Sequence, residues 1–221
     1  SKTKRREVEQ VGGGLKRIYP SSVIFLLGLL VSLCFSLWAE SSGICWAAAQ
    51  PSHGGHLVVA VPVDPDTFDP HKAVAAATEE IEFNIYQGLV SFDQEGRIIP
   101  CLAESWEVSE DGTIYTFHIR DGVRFHNGRK LTTADVVFSL ERVKDDATGF
   151  PLSWPKRMVE IAAVDENTVR IKLDEPYAPF LSELVDAAIV PPEAAASLAT
   201  QPVGTGPFRM VEWVNGQHVE L

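Results

Sequence analysis

The sequence predicts a mixed α/β fold, in which one lobe carries an embedded β-hairpin subdomain. Residues 113–120 alternate apolar and polar side chains and are rich in β-branched and aromatic types, which is typical of a half-buried strand. Residues 158–164 and 168–173 show the same kind of pattern on either side of a short polar turn, which indicates a second hairpin. Residues 133–143 instead repeat apolar side chains at helical spacing.

The strand at 113–120 is predicted to be the second strand of a hairpin that is followed by a helix. An Asp-Gly pair at 111–112 separates it from residues 106–108, and this dipeptide favours a tight hairpin turn. Thr132 or Thr133 is expected to cap the helix that follows. The predicted apolar face of this helix contains Val136, Val137, Leu140 and Val143.

The segment before this unit is predicted to form a strand, a loop and a helix. Residues 57–61 are a continuous apolar run, as in a strand that is covered on both faces. Residues 62–70 contain three prolines, which remove backbone donors and exclude regular structure. Residues 78–87 are predicted to be helical, with Ile81 and Ile85 on one face.

The last part of the chain is predicted to contain short strands. Residues 187–190 indicate one brief strand, and the Gly-Thr-Gly-Pro turn at 204–207 leads into another at 208–214. Asn-Gly at 215–216 predicts a hairpin turn into residues 217–221. Because the chain stops within this last predicted strand, we expect it to be the N-terminal part of a longer protein.

Composition and charge exclude several classes of partner. Of the 221 residues, 45% are hydrophobic and 22% are charged, as in globular proteins that bury a core. From residue 50 onward there are 13 basic and 27 acidic side chains, a net charge of −14. Such a surface repels nucleic acid and anionic membranes, and it suits an exported receptor or simple solubility. Cys101 is predicted to be a buried core thiol rather than a nucleophile.

Residues 1–49 are predicted to be a signal peptide or N-terminal leader. The first 22 residues hold six basic and two acidic side chains, and residues 23–39 then contain no charge. Seventeen such residues are short for a spanning helix and natural for a secretory signal, although an uncleaved anchor stays an alternative. Three alanines precede Gln50, which is the expected mature start, with cleavage after Ala39 as the alternative. Residues 50–55 are predicted to be a linker.

The sequence favours a protein that is not an enzyme and that has no cofactor. It contains no G-x-S-x-G, H-E-x-x-H or Walker-type phosphate motif. His53 and His56 lack a third and fourth ligand nearby, so no metal site is predicted. His118 and His126 flank one turn and are predicted to be structural.

Two motifs resemble a known family. The stretch 102–143, LAESWEVSEDGTIYTFHIRDGVRFHNGRKLTTADVVFSLERV, resembles the signature of the bacterial extracellular solute-binding proteins of family 5. Residues 202–208, PVGTGPF, resemble the family's second hallmark, a Gly-Thr-Gly-Pro-aromatic turn. Asn127 departs from the pattern, since the family usually has Asp there, and both residues suit a turn. The resemblance covers residues 56–221.

This resemblance implies a periplasmic binding protein-like fold of class II, cluster C type. Residues 56–221 would be its N-terminal lobe, truncated, with the second lobe incomplete. The implied function is to capture a peptide or similar small solute between two lobes and deliver it to the permease subunits of an ABC importer. The resemblance also implies a periplasmic or extracytoplasmic location. The complete protein is expected to be a monomer.

The candidate ligand-binding residues in this lobe are Asp66, Thr67, Phe68 and Thr205. The first three follow the predicted strand at 57–61, and α/β sheets place ligand sites outside the carboxyl ends of their strands. Thr205 lies in the glycine-rich turn, whose two glycines are predicted to serve backbone conformation rather than ligand contact. No catalytic residue and no metal ligand is predicted.

A second function stays open at this point: an envelope-anchored sensory or interaction protein that uses the same fold without delivering a solute. Genes for a permease and an ATPase next to the gene for this protein would favour the transport function. Peptide, nickel, haem and sugar ligands are not distinguished by this part of the chain. The family's charged residues that bind peptide termini lie mostly in the second lobe.

Overall fold

Helix α1 (Ala76–Ile85) is the first regular element of the computed structural model, which describes residues 54–221. A small antiparallel hairpin of β1 (Val90–Phe92) and β2 (Ile98–Pro100) follows it. The helix predicted at 78–87 is therefore confirmed, and both of its ends lie two residues earlier. Its buried face contains Ala77, Thr78, Glu82 and Ile85.

Strands β3 (Ala103–Val108) and β4 (Ile114–Ile119) form the hairpin that the sequence predicts. Gly112 in its turn has φ of +69°, a conformation that glycine adopts without the steric cost of a Cβ. Strand β4 buries every second residue, Tyr115, Phe117 and Ile119, which agrees with the alternation in its sequence.

Helix α2 (Thr133–Lys144) begins with a capping box. The backbone N–H of Thr132 donates to the carboxylate of Asp135 at 2.8 Å, and the Thr132 side chain caps the first turn in return. Val136, Leu140 and Val143 are buried as predicted, while Val137 is only half-buried.

The second predicted hairpin completes the main sheet. Strands β5 (Met158–Ala163) and β6 (Thr168–Leu173) pair antiparallel, and helix α2 packs against both of them. The strand order is β3-β4-β6-β5, and every neighbouring pair is antiparallel. The hairpin over 158–173 is therefore confirmed.

Short elements make up the rest of the chain. A 3₁₀ helix (Trp154–Arg157) precedes strand β5. The single-turn helix α3 (Phe180–Glu183) continues into another 3₁₀ helix (Leu184–Asp186), and a third (Pro192–Ala194) follows. The chain then forms the hairpin of β7 (Glu212–Val214) and β8 (His218–Glu220).

Two groups of buried side chains hold the unit Val59–Leu221 together. The larger group fills the space between the main sheet and helix α2, and it includes Trp154, whose ring packs on Phe150 and Phe180. Trp154 is 4% exposed, so it anchors its own loop. The smaller group lies around helix α1 and contains Phe68, Ile85, Tyr86, Ala188, Val190, Ala194 and Leu198.

The predicted strand at 57–61 is wrong. These residues are coil, and Leu57 and Val58 are about nine-tenths exposed, at 89% and 91%. A strand needs a hydrogen-bonded neighbour, and no strand within residues 54–221 pairs with this segment.

Residues 187–190 are also coil instead of the predicted strand. Their backbone groups are bound singly rather than in a ladder: Ile189 N–H donates to the Gln87 carbonyl at 2.9 Å, and Val190 N–H donates to Ser139 Oγ at 2.9 Å. Because these bonds satisfy the buried backbone, an apolar segment remains buried without a neighbouring strand.

Three further expectations are corrected or lie outside the described residues. The strand predicted at 208–214 is limited to 212–214.

Cys101 is half-buried rather than fully buried, and burial raises the pKa of its thiol, which agrees with an unreactive role. The leader and most of the linker lie outside residues 54–221, and within that range no helix has the length and apolar character needed to cross a bilayer.

Candidate functional site

The loop that carries three of the predicted site residues packs across helix α1. Asp66 is exposed, and its Oδ1 accepts a hydrogen bond of 2.9 Å from the hydroxyl of Thr78 on the helix. The same oxygen accepts the backbone N–H of Thr67 at 3.1 Å. The helix thereby fixes the position of the Asp66 carboxylate at the surface.

Phe68 is completely buried, so its ring is part of the core of this lobe. It packs edge-on against Trp213, with ring centroids 5.0 Å apart. Its backbone is bound at both groups: its N–H donates to the Ala199 carbonyl at 3.1 Å, and its carbonyl accepts the Tyr86 hydroxyl at 2.7 Å. Asp66 is therefore the exposed member of the predicted trio, Thr67 is half-buried, and Phe68 anchors the loop.

A buried charge cluster that sequence analysis missed supports the end of this loop. The guanidinium of Arg142 on helix α2 binds both carboxylate oxygens of Asp69, one at 2.8 Å. Its Nη1 also donates to Nδ1 of His71 at 2.7 Å, and Nε2 of His71 donates to the Ala188 carbonyl at 2.8 Å. His71 is therefore neutral, with its proton on Nε2, because Nδ1 is used as an acceptor.

The pKa values of this cluster follow from burial and from the arginine. Burial alone would raise the pKa of Asp69, but the hydrogen bonds and positive charge of Arg142 outweigh it and hold that pKa below its ordinary value. Burial lowers the pKa of His71 to about 4, and the neighbouring Arg142 acts in the same direction.

Glu82 is a second feature that sequence analysis missed. It lies on the buried face of helix α1 and is only 6% exposed. Burial raises the pKa of its carboxyl to about 8, and the nearby acids Asp69, Asp66 and Glu79 add to this shift. Glu82 is therefore a neutral carboxylic acid in the folded protein at pH 7.

Helical spacing could have revealed Glu82, since it lies four residues after Thr78 and three before Ile85. The apolar pattern instead predicts that Ile81 lies on the buried face of helix α1, and the structure shows Ile81 half-buried. The prediction assumed that apolar residues fill the core. The predicted buried face of helix α1 is therefore rotated by about one residue from the observed face.

The glycine-rich turn of Thr205 approaches the C-terminal end of helix α1. Gly206 N–H donates to the Ile85 carbonyl at 2.8 Å, and a Cβ on Gly206 would lie 2.5 Å from the Asn84 carbonyl oxygen. A Cβ on Gly204 would clash with the Ile85 carbonyl. Neither glycine has positive φ, so both are required for close backbone approach rather than for a left-handed conformation.

His126 holds this turn from the other side. Its backbone N–H donates to the Gly204 carbonyl at 2.9 Å, and its Nε2 donates to the Gly206 carbonyl at 2.9 Å. The structural role predicted for His126 agrees with these bonds. The Thr205 hydroxyl lies between the two glycines, is shielded from solvent, and has no hydrogen-bond partner in residues 54–221.

Helix α1 therefore connects the two parts of the candidate site. Thr78 on the helix and Tyr86, which directly follows it, hold the loop of Asp66, while the carbonyls of Asn84 and Ile85 hold the turn of Thr205. Among the described residues no group of three or more histidine, cysteine or acidic side chains could hold a metal ion.

A comparison with protein families identifies this architecture. Residues 97–221 match the model of "Bacterial extracellular solute-binding proteins, family 5 Middle". The chain belongs to this family. The match includes the main sheet, helix α2 and the glycine-rich turn, which confirms the resemblance seen in the two motifs.

Relatives of this family-5 chain include a glutathione-binding protein and a peptide transport protein. The glutathione-binding protein GsiB of Shigella boydii is 34% identical over 75% of this chain and 34% of its own length. The peptide transport periplasmic protein SapA of Salmonella typhimurium is 32% identical over 93% of this chain and 42% of its own length. The family-5 chain thus spans about two fifths or less of these relatives.

A solved structure shows the same fold. The ABC transporter-associated periplasmic binding protein DppA from Helicobacter pylori, in complex with the peptide STSA, is 33% identical to the family-5 chain. It aligns with a TM-score of 0.64 over 71% of this chain and 36% of its own. The predicted fold class, a partial periplasmic binding protein, is confirmed.

Proposed function

We propose that this chain is part of the substrate-binding component of an ABC importer, and that the complete protein captures a peptide or similar small solute. The observation that carries the proposal is the match to a family-5 protein whose structure contains a bound peptide. The names of the two relatives, which concern glutathione binding and peptide transport, support the same chemical class. The complete protein acts by binding rather than by catalysis and delivers the solute to permease subunits.

The same family membership supports a proposal for the location. An extracytoplasmic receptor must be exported, and the basic, then apolar, residues 1–49 have the composition of an export signal. We propose that this leader directs the protein to the periplasm or an equivalent extracytoplasmic site. In this proposal the complete receptor works as a monomer.

Asp66, Thr67, Phe68 and Thr205 are proposed to form the contribution of this lobe to the ligand site. Asp66 supplies an exposed carboxylate, and Thr67 lies beside it on the same loop. Phe68 fixes the loop from below, and Thr205 supplies a hydroxyl that has no partner in the described part of the chain. Polar groups placed on a rigid frame are what tolerant recognition of a peptide backbone requires.

Calorimetric titration of the full-length protein with tripeptides and glutathione tests the proposal. We expect Thr205→Ala and Phe68→Ala to weaken binding of whichever probe the wild-type protein binds. Thr200→Ala, an exposed residue, and Leu198→Ala, from the same buried group as Phe68, are the matched controls. Unchanged affinity in either test variant removes that residue from the site, and no binding of any probe contradicts the proposed ligand class.

A further inference from the structure

Glu82 combines deep burial with an unused acceptor. The residue is 6% exposed, and its Oε1 atom is shielded from solvent without a hydrogen-bond donor among residues 54–221. Buried polar atoms are nearly always paired, so an unpaired carboxyl oxygen in this position calls for a physical explanation.

The side chain of Glu82 faces the loop of Asp66. One helical turn before it, the Thr78 hydroxyl donates to Asp66 at 2.9 Å. One turn after it, the Tyr86 hydroxyl donates to the Phe68 carbonyl at 2.7 Å. Since residues four apart lie on the same face of a helix, the side chain of Glu82 extends from the face of helix α1 on which Thr78 contacts the loop.

The surroundings of this carboxyl are acidic. Asp66 and Asp69 face it from the loop, and Glu79 lies one turn earlier on its own helix. The buried cation of the region, Arg142, is occupied by Asp69 and His71. Lys72 is half-exposed and lies 3.8 Å from Asp69. No cation of the described residues therefore donates to Glu82.

We infer that Glu82, together with the exposed carboxylate of Asp66, forms a subsite for a positively charged nitrogen group of the solute, such as an alkylammonium. This inference rests on the proposed solute-binding function and specifies its ligand. An ammonium supplies the donor that Oε1 lacks and the positive charge that the acidic surroundings favour. The described residues offer no grouping suited to a metal ion, so an organic cation fits the site better.

Binding of such a group is coupled to a proton. Glu82 carries a proton in the free protein, because burial and three neighbouring acids raise its pKa to about 8. When the ammonium donates to the carboxyl, its charge replaces that of the proton, and the proton passes to the buffer. Affinity for a cationic solute should therefore increase as the pH rises toward 8.

The test is calorimetry on the full-length protein at pH 7 with matched tripeptides of alanine. Each pair carries either lysine or norleucine, which has a similar carbon chain without the amine, at one of the three positions. For one position we expect the lysine peptide to bind about tenfold more tightly or better, as for one charge-assisted hydrogen bond. Repeating the titration in phosphate and in Tris should show release of close to one proton.

Two variants test whether the effect belongs to Glu82 or to the negative charge of the whole surface. Glu82→Gln keeps the shape of the protonated acid and should abolish both the lysine preference and the proton release. Glu80→Gln, an exposed acid on the same helix, should leave both unchanged. Equal binding of lysine and norleucine peptides, or a preference that survives Glu82→Gln, overturns the inference alone. Failure to bind any tripeptide contradicts the proposed peptide class as well.

Discussion

The carboxyl groups of Asp69 and Glu82 are similarly buried but have very different surroundings: Asp69 is paired with Arg142, and Glu82 is not. Asp69, which Arg142 of helix α2 binds, is 2% exposed, and Glu82 on helix α1 is 6% exposed. Asp69 remains ionised because a guanidinium binds both of its oxygens. Glu82 has no such partner in the described part of the chain and is instead protonated. Burial alone therefore does not decide the charge of an acid; the partner does.

The same comparison extends to pH. His71, in the paired cluster, has a pKa lowered from 6.5 to about 4, so between these values the unfolded chain binds the extra proton and stability increases with pH. Glu82 has a pKa raised from 4.5 to about 8, so between these values the folded chain holds the extra proton and stability decreases with pH. From about 4.5 to 6.5 the two effects oppose each other.

Removal of the arginine should have the largest effect. Arg142→Met leaves the buried Asp69 without its partner, and we expect a loss of about 3–5 kcal/mol in the free energy of unfolding. Urea denaturation of the full-length protein at pH 7 measures it. Arg97→Met, which removes exposed ion pairs to Asp93 and Glu95, is the control and should cost less than about 1 kcal/mol. Similar losses in the two variants would mean that the buried pair has no special importance.

The rise in the free energy of unfolding with pH that His71 causes should appear once Glu82 is replaced, because Glu82 has the opposite effect over the same pH range. In Glu82→Gln the free energy of unfolding should rise between pH 4 and 6.5, by up to about 3 kcal/mol from His71. In the wild-type protein the opposing proton of Glu82 should make this interval nearly flat above pH 4.5. The difference between the two pH profiles from denaturant titrations isolates the effect of Glu82, and parallel profiles would show that its pKa is not raised.

The smallest expected effect is a fall in the free energy of unfolding above pH 6.5. Between pH 6.5 and 8 the wild-type free energy of unfolding should fall by up to about 2 kcal/mol, because the folded chain retains a proton on Glu82 that the unfolded chain has already lost. Glu82→Gln should be flat over the same interval, and Glu80→Gln should follow the wild type. A fall that is retained in Glu82→Gln would assign it to another group.

The candidate site was predicted only in part. The sequence pointed to Asp66, Thr67, Phe68 and Thr205, and the structure places the first three on one loop and the fourth on a turn at the other end of helix α1. Their role in binding stays a prediction. The cluster of Asp69, His71 and Arg142 was not predicted, because Arg142 lies 73 residues after Asp69 and 71 residues after His71 in the chain.

The hairpin at 103–119, the second hairpin at 158–173 and the capped helix α2 were predictable because turn dipeptides, alternation and capping are local signals. The family was predictable from two local motifs. Tertiary structure decided what required a distant neighbour. The apolar residues 57–61 form no strand within the described region, since a strand needs a partner. Likewise, Asp69 is charged and Glu82 is neutral because a guanidinium from helix α2 reaches one carboxyl and not the other.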